Sequence, residues 1–72
     1  MDEKQQILFM QIRILRIAST RLKLSLKETS LLFKQYGVLP YIRDGFGIFH
    51  VEGDDAVYDD VKKYLVARGA IL

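Results

Sequence analysis

From Glu3 to Leu24 the chain runs without a single glycine or proline, in a sequence of only 72 residues. The stretch is rich in good helix formers, and its apolar residues recur with helical spacing. At about 100 degrees per residue, Ile7, Leu8, Met10, Ile14, Leu15, Ile17, Ala18 and Leu22 fall on one broad side, with Arg13, Arg16, Thr20 and Lys23 opposite. This predicts one helix over 3–23. A chain this short has no room for two cores, so the remainder must share one hydrophobic interior with that helix. Phe9 and Ile12 break the pattern, because they fall on the polar side beside Arg13 and Arg16.

The rest of the chain carries local start and stop signals. Ser25-Leu26-Lys27-Glu28 is a capping-box sequence, and Gly37 supplies the left-handed residue that closes a helix. A second helix over 26–36 follows, with Leu26, Thr29, Leu32, Phe33 and Tyr36 as its buried stripe. Pro40 suits the first turn of a third helix over 40–49 that carries Tyr41, Ile42, Phe46 and Phe49. Gly45 and Gly47 weaken that helix, and the alternative is an end near Asp44 with a short extended segment over 48–51. Gly53-Asp54-Asp55 leads into a last helix over 54–68, with Asp54 as its cap and Gly69 as its stop. The expectation is a single all-α domain over 1–72, a compact bundle of about four helices.

Composition narrows the function classes. Half the residues are hydrophobic and the net charge is +2, which drives collapse and excludes a disordered chain. The absence of cysteine excludes disulfides and thiolate metal sites and suits a reducing compartment. No apolar run reaches membrane-spanning length, and Asp2 and Glu3 stand where a secretory signal needs positive charge, so the reading is cytoplasmic. The charge is unevenly spread. Residues 1–36 hold seven basic against three acidic side chains, a balance of +4, whereas residues 37–72 hold four against six, a balance of −2. Such halves can attract each other across the fold, pair between copies, or offer the basic half to an anionic partner.

No catalytic, cofactor or metal site emerges. His50 is the only histidine, which reads as a structural residue near a helix end. Ser19, Ser25 and Ser30 lack a nucleophile-elbow context. Asp54, Asp55, Asp59 and Asp60 are spaced to chelate a hard cation, but helix-end aspartates with Asp59 facing Lys63 are the stronger explanation. Gly45-Phe46-Gly47 lacks the lysine and flanking strand of a phosphate loop. A helix-turn-helix DNA reader is disfavoured because the segment after Gly37 offers only Arg43, with Asp44 adjacent. What remains is the first helix: Phe9 and Ile12 amid Arg13 and Arg16 suit a protein interface or self-association. The alternative is a nucleic-acid-binding regulator using the basic face of that helix.

The order of these signals resembles a known family. Ile7 to Arg21, Leu26-Lys27-Glu28, the run Leu32-Phe33-Lys34-Gln35-Tyr36-Gly37-Val38-Leu39, Phe49-His50 and Asp59-Asp60-Val61 are similar to the small bacterial domain of unknown function family 3791. Pro40, Gly45 and Gly47 depart from its pattern. The resemblance implies an accessory or antitoxin-like binding role beside a toxin-type protein, marks His50 as a matched position, and transfers no catalytic residue.

Overall fold

The computed structural model describes residues 2–72 and is all-α, with four helices and no strand among those residues. Helix α1 spans Glu3–Leu22, α2 Leu26–Tyr36, α3 Val38–Phe49 and α4 Asp54–Ala67. The long helix organises the bundle, because α1 packs against each of the other three. Its core-facing arc is Met10, Ile14 and Ala18, which meet Phe33 of α2, Val38, Ile42, Phe46 and Phe49 of α3, and Val57, Val61 and Leu65 of α4. Ala70, beyond α4, is also buried, whereas Ile71 and Leu72 are not.

Each joint has a chemical cause. At the start of α1 the Asp2 carboxylate accepts from the Gln5 amide at 2.8 Å. Lys23 ends the helix in the left-handed region, at φ 57°. The Ser25 hydroxyl then accepts from the Glu28 amide at 3.0 Å while the Glu28 carboxylate accepts from the Ser25 amide at 2.9 Å, closing the capping box. Thr29, the one buried polar residue among those described, donates its hydroxyl to the Ser25 carbonyl.

Ser25→Ala is expected to lower stability by about 0.5–2 kcal/mol, read as an earlier urea midpoint. The Ser25 amide, then its hydroxyl, holds the Glu28 carboxyl below its ordinary value of 4.5. A lowered folded-state value stabilises the fold above 4.5 and ceases to do so as the pH falls through that lowered value. The stability gap between wild type and Glu28→Ala therefore narrows in melts taken at progressively lower pH.

Four expectations of the fold need correction. Leu26, read as part of the buried stripe of α2, is 51% exposed in its first turn. Helix α3 begins at Val38, not Pro40, because Gly37 at φ 67° serves at once as the end of α2 and the start of α3. Pro40 is the third residue of α3, still among the first amides that need no partner in the helix. The helix reading holds through Phe49 and the alternative of an extended segment over 48–51 falls: Ile48 and Phe49 finish α3, and the amides of His50, Val51 and Glu52 bond back to Phe46, Ile48 and Phe49 in a tight turn. Asp54 does not cap α4. Gly53, at φ 91°, occupies that position without a side-chain bond, and Asp54 is the first helical residue.

Candidate functional site

The residues singled out by sequence lie on the outer face of α1. Phe9 and Ile12 are 44% and 39% exposed. Leu8, expected on the buried side, is 51% exposed. The three neighbours of α1 cover a narrower arc than its apolar residues span, so Leu8 joins Phe9 and Ile12 at the surface. The patch is thus three large apolar side chains within five consecutive residues.

The cations beside this patch differ in their circumstances. The Arg13 Nε donates to Asp54 at 2.9 Å, and Arg21 pairs with Asp55 while its guanidinium lies 5.0 Å from the Tyr58 ring centroid. Burial keeps the Tyr58 phenol above its ordinary pKa, a shift that the Arg21 charge opposes. The basic first half and acidic second half therefore meet across the surface of one molecule, clipping α1 to the first turn of α4. Asp54 and Asp55, at the positive end of α4, gain both an arginine and the helix dipole. Arg16 has no ion pair among the described residues, and neither do Asp59 and Lys63, which the i,i+4 spacing had matched.

His50 closes α3. Its ring stacks on Phe46, with centroids 5.2 Å apart, and Nδ1 lies 2.9 Å from the Phe46 carbonyl. A carbonyl only accepts, so Nδ1 carries the proton and donates. The backbone amide of His50 donates to the same carbonyl. Phe46 of α3 and His50 just beyond it face Gln6, Phe9, Met10 and Arg13 of α1 across an open groove of about 270 Å³. The fold thus brings Phe9, Arg13 and His50 to one groove, while Ile12 and Arg16 lie further along α1. The hydroxyls of Ser19 and Ser25 are engaged, one donating to the Leu24 carbonyl and the other in the capping box. Among the described residues no group of three or more His, Cys, Asp or Glu side chains is arranged to hold a metal ion.

Sequence reasoning missed Leu39 as well as Leu8. The Gln11 side-chain amide donates to the Leu39 carbonyl at 2.9 Å, drawing the start of α3 against α1 and leaving Leu39 exposed beside it. The partners are 28 residues apart, and no local signal announces such a contact.

The model of a family described as a protein of unknown function, DUF3791, matches residues 9–68. The chain belongs to the DUF3791 family. No curated protein and no solved structure matches it. In this DUF3791 domain the matched span opens at Phe9 and takes in Ile12, Arg13, Arg16 and His50. Among the described residues no helix is long and apolar enough to cross a membrane.

Proposed function

We propose that this DUF3791 domain is a non-enzymatic protein-interaction module of the bacterial cytoplasm that binds through the outer face of α1. The observation that supports this reading is the run of exposed Leu8, Phe9 and Ile12 beside Arg16, on a helix whose opposite face is the centre of the core. Interface centres favour aromatic residues and arginine packed among apolar side chains. An accessory or antitoxin-like role needs only such a surface. Nucleic-acid binding draws less support, because a phosphate reader needs uncommitted cations and two arginines of α1 are held by Asp54 and Asp55.

Phe9→Ala combined with Ile12→Ala is expected to weaken self-association in sedimentation, or capture of a host protein identified by mass spectrometry. Circular dichroism should show an unchanged fold, since both side chains are partly solvated. The wild type should give no salt-sensitive DNA shift at micromolar concentration. A wild type that stays monomeric, captures no protein and binds DNA with a steep salt slope overturns the reading in favour of a nucleic-acid-binding regulator.

A further inference from the structure

The exposed apolar residues of α1 are spaced in an order that a helix can read. Leu8, Ile12 and Leu15 stand four and three residues apart, the alternation along which one helix lies against another. Leu8 and Ile12 are exposed and Leu15 is half-buried, so the seam is open over the first half of α1. Further on it closes, because Leu15 and Leu22 both pack against the core. Leu39, held alongside by Gln11, adds an apolar wall at the seam's other edge.

The flanks of this seam carry one sign of charge. Arg16 and Lys23 follow the seam positions Leu15 and Leu22, and Lys4 precedes Gln5, which continues the same spacing. All three cations are exposed and without an ion pair among the described residues. Glu3, the acidic residue nearest these positions in sequence, falls off the seam at helical spacing, and the Asp2 carboxylate is engaged by the Gln5 amide. A second copy laid along the seam would set cations against cations, whereas flanking charges of opposite sign select a pairing helix. A phosphate backbone would satisfy the cations and leave the apolar seam wet.

We propose that the α1 seam docks an amphipathic helix of another protein whose apolar stripe is bordered by Glu or Asp. This deepens the interaction reading above, on which it rests, by naming the chemistry of the occupant. The open length, from Lys4 to Arg16, engages about two heptads of such a helix.

The test titrates the whole chain against two synthetic peptides about three heptads long, followed by fluorescence anisotropy. Both carry Leu at the seam positions; one has Glu at the flanking positions and the other Lys. Like charges on the flanks keep each peptide from pairing with itself. The Glu peptide should bind about tenfold more tightly than the Lys peptide. Lys4→Glu with Arg16→Glu should reverse that order, and Ile12→Ala should weaken the Glu peptide. Lys4 and Arg16 are exposed and have no ion pair among the described residues, so the double variant keeps its fold by circular dichroism. Equal binding of the two peptides, or binding of neither, overturns the proposal. If neither binds while the chain self-associates through Phe9 and Ile12, the occupant is a second copy and the interaction module stands. If neither binds, the chain stays monomeric and no host protein is captured, the interaction reading falls with it.

Discussion

Replacing Phe33 with alanine is expected to remove about 3–5 kcal/mol of folding free energy. Phe33 is the largest side chain that is wholly inside, at 1% exposure, and it projects from α2 into the interior shared with α1 and α3. Losing the ring removes its transfer free energy and leaves a cavity that the surroundings must fill or tolerate. The surroundings are poorly placed to fill it. Helix α2 is fixed at its start by the capping box and at its end by Gly37, so it has little freedom to settle inward. A domain of this length has a total stability of about 4–11 kcal/mol, so the variant should unfold at a much lower urea concentration or be unfolded in buffer. A midpoint within experimental error of wild type would show that the packing around α2 is fluid.

The second large effect comes from a glycine that propensity alone would mark for replacement. A Cβ at Gly45 would stand 2.4 Å from Cε2 of Phe49 and 2.9 Å from two further atoms of that ring. The ring cannot simply swing away, because Tyr41 packs against it at 5.4 Å and itself stacks on Tyr64 at 4.1 Å between centroids. Forcing that stack apart costs about 1–3 kcal/mol, which outweighs the gain of up to about 1 kcal/mol from removing a helical glycine. Gly47, two residues on, has nothing within 4 Å of its would-be Cβ. Gly45→Ala should therefore lower the melting temperature and Gly47→Ala should raise it, each kcal/mol moving it by about 4–8 °C. Stabilisation by both substitutions would mean that the Phe49 ring moves freely.

The parts of the fold that could be read in advance are those whose causes are local. Ser25, Glu28 and Gly37 bracket α2 because a cap and its partner lie within one turn of each other. Helix α3 was displaced by two residues because Pro40 advertises a first turn without saying where in that turn it sits. Gly45 looked like a weakness because propensity does not know that Phe49 lies over it. The surface was legible in part for the same reason. Phe9 and Ile12 were out of phase with the α1 pattern, and that is visible in one helix. Leu8 was in phase, and only the number and placement of the covering helices exposes it. The charge imbalance between the halves was plain, but its outcome, Arg13 on Asp54 across 41 residues, depends on where α4 begins in space.

The corner between α2 and α3 turns on one residue, Gly37, with the Tyr64 hydroxyl donating to the preceding Tyr36 carbonyl at 2.7 Å. A corner of that kind has no slack. One inserted residue would rotate α3 by about 100 degrees relative to α2 and carry Val38, Ile42, Phe46 and Phe49 out of the core together. The turn over 50–53, which bears exposed side chains, absorbs an added residue at far lower cost. An added residue is thereby expected to be tolerated at the joint between α3 and α4 and not between Ser25 and Phe49.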